Sequence, residues 1–388
     1  MSFRFPLATA SWGREEIEAM QRVISSGTFT LGANVRSFEQ DFARYIGSQH
    51  CIMVNSGSSA NLLMVAALFY TKNPELKLQR GDEVIVPAVS WSTTYYPLYQ
   101  YGLKIKFVDI DLHTLNIDLD QLEQAVTDKT RAIMAVNLLG NPNDFSRIQG
   151  IIEKRNIVLL EDNCESMGAR FQDRMAGTFG VMGTFSSFFS HHISTMEGGL
   201  IVTDSEELYQ ILLSIRSHGW TRNLPKHNLI CSELSDDPFE ESFRFILPGY
   251  NVRPLEIEGA LGIEQVKRLP KIVEERRANA KIFKNLLLEH KEILIQREIG
   301  ESSWFGFSLV IRPGCTLTRK ELLKKLNQLG FECRPIVAGN FAKNEVVKYF
   351  DSEVYGSLDN ADHVDKNGLF VGNHHYPIPE VFSALSKI

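Results

Sequence analysis

Residues 51–70, CIMVNSGSSANLLMVAALFY, place a short apolar run (CIMV, 51–54), a turn of small residues (Asn55 to Ala60) and a strong helical stretch (NLLMVAALFY, 61–70) in direct succession. A strand that ends in a glycine–serine turn and feeds a helix leaves the first helical N–H groups free. Small side chains there let an anion reach the backbone. Gly57 and Ser58 are therefore candidates for holding a phosphate. The same serines read equally well as ordinary helix N-caps, so the turn alone does not settle a role.

The fold class follows from what surrounds this unit. Downstream, the apolar runs VIVPAV (84–89), KIKFVDI (104–110), RAIMAVN (131–137) and NIVLLED (156–162) alternate with helical patterns at 118–126 and 145–155. Strands alternating with helices predict an α/β fold with a largely parallel sheet, whose ligands lie beyond the carboxyl ends of the strands. Upstream, 14–26 and 35–46 read as amphipathic helices that stop at Gly27 and Gly47. Further on, TFSSFFSHHISTMEGG (184–199) opens with an alternation through Phe185, Ser187 and Phe189 that predicts a short buried strand. His191 and His192 follow it, and then a turn into LIVT (200–203). A neutral imidazole is the side chain best suited to move protons near pH 7; one solvated and one packed histidine is the plainer reading. Ser58, Trp91, Asp162 and His191 all fall at strand ends, and that convergence is what no single motif supplies.

After a helix over 206–219, the polar stretch from Trp220 to Glu241 is long enough to be a flap or an interface loop. LPGYNVRP (247–254) breaks the chain, and the helical pattern over 255–289 is expected to be interrupted or kinked at Pro270. The strand at 304–311, the helix at 319–329 and the strand at 331–335 suit a smaller α/β domain. The expected division is a large domain over 1–253 and a small one over 254–388.

The 388 residues are 44% hydrophobic, enough for a sizeable core, and the formal net charge of -6 offers no general attraction to nucleic acid. Cys51, Cys164, Cys231, Cys315 and Cys333 are odd in number, scattered and never spaced CxxC. That pattern argues against a disulfide framework, structural zinc or a cysteine-held iron–sulfur cluster. The opening MSFRFPLATASW lacks a basic region followed by an apolar one, and no stretch approaches the ~18 apolar residues of a membrane span. A soluble, cytoplasmic protein is expected, without nucleic-acid or membrane partners and without a metal.

Taken together, SGSSAN, VPAVSW, LEDNCESMGA, the SFF…EGG block, RSHGW and GYNVRP resemble the fold-type-I enzymes that use pyridoxal phosphate (PLP). More narrowly they are similar to the sugar aminotransferases acting on nucleotide-linked ketosugars. The resemblance runs from about residue 6 to the C-terminus. It implies a three-layer cofactor domain, a smaller C-terminal domain and a homodimer with shared active sites. It also implies roles: Gly57, Ser58 and Ser186 on the cofactor phosphate, joined by Asn251 from the neighbouring subunit; Trp91 stacked on the pyridine ring; Asp162 paired with the pyridine nitrogen. Glu165 stands near the ring hydroxyl, where the family often has glutamine. His218, Arg222 and Arg334 are candidates for the substrate or cosubstrate, since guanidinium binds carboxylate or diphosphate bidentately.

One position departs from the aminotransferase pattern. In the family a lysine precedes the acidic residue of the EGG-like turn by six positions. Counted back from Glu197 that place holds His191, and no lysine lies between Lys154 and Lys226. An imidazole cannot tether the cofactor covalently. The histidine variant resembles the sugar 3-dehydratases, which implies non-covalent pyridoxal and pyridoxamine phosphate, L-glutamate as cosubstrate and a GDP-linked 4-keto-6-deoxy sugar. His191 would be the proton-transfer group, with His192 as its competitor. A nucleotide-sugar 4-aminotransferase, a non-catalytic regulator that kept the fold, and a dehydratase relying on a partner reductase and an iron–sulfur cluster are the competing readings.

Overall fold

The computed structural model describes residues 3–153 and 155–388. Two helices, α1 (Arg14–Ser26) and α2 (Ala33–Ile46), lead the chain, each stopping at a glycine in the left-handed region, Gly27 (φ 70°) and Gly47 (φ 80°). The alternation then runs β1 (His50–Val54), α3 (Gly57–Tyr70), β2 (Glu83–Pro87), α4 (Ser92–Gln100), β3 (Lys104–Val108), α5 (Leu119–Ala125), β4 (Thr130–Val136), α6 (Phe145–Ile152) and β5 (Val158–Asp162). A hairpin of β6 (Arg170–Phe171) and β7 (Arg174–Met175) precedes β8 (Met182–Ser186), β9 (Gly199–Thr203) and α7 (Glu206–Ile215). The polar stretch beyond Trp220 holds a second hairpin, β10 (His227–Asn228) with β11 (Ser232–Glu233), and a single turn, α8 (Pro238–Glu241). The long α9 (Glu256–Leu287) follows, then β12 (Ile293–Leu294), β13 (Gly306–Ile311), α10 (Arg319–Leu329), β14 (Cys333–Arg334), β15 (Ser352–Val354), α11 (Asp359–Asn367), β16 (Gly368–Gly372) and α12 (Pro379–Leu385).

The main sheet has eight strands in the order β1-β9-β8-β5-β4-β2-β3-β15. Only β9 runs against its neighbours; the other pairings are parallel. Strands β2, β5, β8 and β9 are buried along their whole length, as a parallel sheet covered on both faces requires. On β2, Val84 and Val86 join the core containing Leu63 and Met64 of α3, while Ile85 points the other way into the core of Phe145 and Ile148. The result is a three-layer α/β architecture. A separate antiparallel sheet, β12-β13-β16-β14, carries its own core of Phe283, Phe307, Leu322, Leu326, Val371 and Phe382.

Three sequence expectations are corrected. Pro270 does not interrupt α9, which is one helix from Glu256 to Leu287. An interior proline costs about 3 kcal/mol; here Val266, Leu269, Ile272 and Val273 are buried against Phe38 and Phe42 of α2, which offsets it. The strand expected to run to Phe189 ends at Ser186, because the Phe188 N–H turns back to Ser186 Oγ and the His191 N–H bonds the Phe188 carbonyl. Helix α6 ends at Ile152 rather than reaching 155, and Lys154 lies outside the described residues. Helix α4, directly after Trp91, was not foreseen.

The N-terminal segment is a strap between the two cores. Phe5 pairs with Phe331 and packs in the smaller core. Trp12 then donates its Nε1–H to the Ser194 carbonyl at 2.9 Å, and Gln265 Oε1 accepts from both Ser11 Oγ and the Ser194 N–H.

Glu256, the first residue of α9, is buried and caps α2 from another element. Its carboxylate accepts from the Gly32 N–H at 2.6 Å, the Asn34 N–H at 2.6 Å and Asn34 Nδ2 at 2.9 Å. Glu256→Ala would leave these donors unpaired, so a loss of about 2–4 kcal/mol in unfolding free energy is expected by urea titration.

Candidate active site

The carboxyl ends of β1, β2, β4, β5 and β8 open on one cavity of about 470 Å³, and Gly57, Ser58, Trp91, Asp162, Glu165, Ser186 and His191 all line it. Seven of the site residues expected from sequence thus meet in one place. The cavity floor is the first turn of α3. Ser56 caps it by accepting the Ser59 N–H at 3.1 Å, which leaves the turn's other leading N–H groups free. A Cβ on Gly57 would come within 2.8 Å of Ser186 Cβ and 3.1 Å of Cys164 Sγ, so only glycine leaves the backbone open here. Ser58 Oγ donates to Thr93 Oγ1 at 3.1 Å.

Asp162 ends β5 and is 5% exposed. Its Oδ2 accepts from Asn61 Nδ2 and Thr94 Oγ1, both at 2.8 Å, and its Oδ1 accepts from the Cys164 N–H at 3.1 Å. Thr184 Oγ1 in turn donates to Asn61 Oδ1 at 2.6 Å, fixing the amide's orientation. Asn61, Thr94 and Thr184 were missed from sequence. Asn61 closes the SGSSAN motif in the first turn of α3, the one local signal that could have found it. Trp91 is exposed at the cavity edge, just before α4.

His191 presents its ring to the cavity between Phe188 and Phe305, at centroid distances of 5.9 and 5.1 Å. Its Nδ1 is buried without a hydrogen-bond partner among the described residues, leaving Nε2 toward the open space. Burial, with the Arg276 guanidinium behind it, lowers its pKa to about 4, so the ring is neutral at pH 7. Arg276 is itself buried and donates Nη1 to the Phe305 carbonyl at 2.9 Å. His192 is buried and does not line the cavity, and its Nε2 lies 3.1 Å from the Ser303 carbonyl.

Glu165 accepts the Leu139 N–H at 2.9 Å, and burial, aided by the Asp162 charge, pushes its carboxyl up to about 7. Below that pH it carries a proton and donates as a glutamine amide would. An unfolded carboxyl releases its proton near 4.5, so the stability it contributes falls as pH rises from there to about 7. Glu165→Gln is expected to raise the thermal midpoint at pH 8 and leave it unchanged at pH 4, as scanning calorimetry at the two pH values would register.

Four expected residues lie away from this cavity. Asn251 is exposed, with Oδ1 accepting from Arg253 Nε at 2.9 Å. His218 adopts a left-handed backbone (φ 63°), and its ring packs 4.8 Å from Trp220. Arg222 lies over the Trp220 ring at 4.4 Å, and Arg334 pairs with Glu332 at 3.1 Å on the surface. Among the described residues no group of three or more His, Cys, Asp or Glu side chains could hold a metal ion.

The donor set fits pyridoxal phosphate. A helix N-terminus with a glycine that cannot carry a Cβ suits the phosphate. A thrice hydrogen-bonded carboxylate suits a protonated pyridine nitrogen, and an exposed tryptophan offers a flat face for the ring.

Residues 11–376 match the DegT/DnrJ/EryC1/StrS aminotransferase family. The chain is 62% identical to the GDP-4-keto-6-deoxy-D-mannose 3-dehydratase of Yersinia pseudotuberculosis over 99% of this chain and 98% of that one. It superposes on the Escherichia coli GDP-4-keto-6-deoxy-D-mannose 3-dehydratase with bound hydrated PLP at a TM-score of 0.98 and 59% identity, covering 100% of this chain and 99% of the other. A GDP-4-keto-6-deoxymannose 3-dehydratase holding a trapped PLP–glutamate geminal diamine gives 0.97 at 59% identity, covering 99% of each chain.

Proposed function

This chain belongs to the DegT/DnrJ/EryC1/StrS aminotransferase family, and from that premise we propose that it is a PLP-dependent sugar 3-dehydratase. It removes the C3 hydroxyl of GDP-4-keto-6-deoxy-D-mannose and yields the 4-keto-3,6-dideoxy sugar. L-Glutamate supplies the amino group that loads the cofactor and leaves as 2-oxoglutarate, and ammonia is released with the product. The observation that carries the reading is the His191 imidazole on the cavity wall, in the cavity that also holds Asp162.

When bound, the cofactor supplies an amine to engage the sugar ketone and a ring that accepts electrons. Gly57, Ser58 and Ser186 hold its phosphate, and Asp162 keeps a proton on its ring nitrogen, with Asn61 and Thr94 fixing the carboxylate. His191, neutral at pH 7, takes a proton at Nε2 and returns it to the departing C3 hydroxyl, so water leaves rather than hydroxide. An imidazole with a depressed pKa is a weak base but, once charged, a strong acid toward that leaving group. Because it forms no tether, the cofactor can exchange between turnovers.

The exposed apolar side chains of Trp91 and Phe188 on the cavity lining, with the exposed Phe189 and Met196 of the same 184–199 stretch, support a homodimer that covers them, with Asn251 reaching the phosphate of the neighbouring site. His218, Arg222 and Arg334 would then serve the nucleotide sugar or glutamate. A cytoplasmic place suits a nucleotide-sugar substrate, and among the described residues no helix is long and apolar enough to cross a membrane. The product suits colitose supply for a lipopolysaccharide O-antigen.

The test is to incubate protein with PLP and L-glutamate, gel-filter it, and add GDP-4-keto-6-deoxy-D-mannose. Ammonia together with a product one oxygen poorer is the expected outcome. A stable 4-amino sugar would instead assign transamination, and no spectral change on adding glutamate would assign a non-catalytic protein.

A further inference from the structure

His191 and His192 both lean on the Phe305 ring, at 5.1 and 5.8 Å between centroids, yet their nitrogens have different partners. The Ser303 carbonyl, 3.1 Å from His192 Nε2, can only accept, so that nitrogen carries the proton. Burial and the Arg276 charge hold His192 well below the usual imidazole range. The ring therefore has one proton, and its Nδ1 is a bare acceptor, buried with no donor among the described residues. His191 has the complementary need. A base working through Nε2 keeps its own proton on Nδ1, and His191 Nδ1 is likewise buried without a partner.

We propose that His192 sets the tautomer of His191: its bare Nδ1 accepts, through one bridging water, the hydrogen bond of the His191 Nδ1–H, leaving Nε2 of His191 as the basic nitrogen facing the cavity. Neighbours in sequence and packed on the same ring, the two nitrogens are not in direct hydrogen-bond contact, and a buried water joining two polar atoms is a common solution. His192 is then a positioning residue, acting through His191 as the orienting partner of a general base does. The inference rests on His191 being the proton-transfer group.

The test reads the tautomer directly. In protein with ¹⁵N-labelled imidazoles, assigned through His191→Asn, wild-type His191 is expected to show a protonated Nδ1 and a bare Nε2. His192→Phe, which keeps an apolar ring but no acceptor, is expected to give a mixed tautomer and to lower kcat roughly tenfold or more with little change in KM. His192→Asn keeps a side-chain oxygen near the lost Nδ1 and should restore both. A proton on Nε2 of wild-type His191, or an unchanged tautomer in His192→Phe, overturns the proposal. Should His192→Phe not fold, the wild-type spectrum and His192→Asn decide it. The spectrum needs no turnover, so it stands apart from an activity test of His191 itself.

Discussion

His191→Asn is expected to lower the dehydration rate by roughly 10²–10⁴-fold while the protein still binds PLP. Asparagine fills much of the imidazole's volume between Phe188 and Phe305, but its amide neither takes nor gives a proton near neutral pH. The phosphate turn at Gly57 and Ser58 and the Asp162 carboxylate lie elsewhere on the cavity wall, so binding should survive. Steady-state turnover and the visible absorbance of bound PLP separate the two effects. Borohydride treatment of wild-type protein with PLP adds a second reading: intact-mass measurement should find no cofactor fixed to the chain. Full activity in the variant would remove His191 from the reaction. A fixed cofactor would mean that a lysine reaches the site.

Asp162→Asn is expected to cost about 10²–10³-fold in kcat, through loss of a charge aimed at the cofactor ring. Three donors converge on this carboxylate: Asn61 Nδ2 and Thr94 Oγ1 on Oδ2, and the Cys164 N–H on Oδ1. An amide has one oxygen for them, so its NH₂ must face a donor on one side or the other. The variant therefore loses both the negative charge and the fixed orientation. Weaker PLP retention on gel filtration, with an absorbance maximum that differs from wild type, would accompany the fall in rate. An unchanged kcat would mean that the ring nitrogen is paired elsewhere.

The parts of this site that could be read from sequence were those tied to strand ends. Gly57, Asp162 and His191 follow runs of apolar residues whose period defines a strand, and a parallel sheet brings such ends together whatever the helices between them do. Asn61, Thr94 and Thr184 escaped notice because their roles are pairings between different elements, and spacing along the chain holds no record of such distances. Helix α4 was missed for a local reason: STTYYPLYQ is rich in β-branched and aromatic residues and contains Pro97, so propensity opposes the helix that tertiary burial of Tyr95 and Leu98 imposes. Pro270 is the same conflict at larger scale, decided by burial against α2.

The strap that begins at Phe5 and crosses to Trp12 carries a practical warning. Its eight residues line no part of the cavity, yet Trp12 grips the Ser194 carbonyl, two positions beyond the histidine pair. A shortened form that begins after this segment should therefore fold around an intact sheet and still turn over slowly.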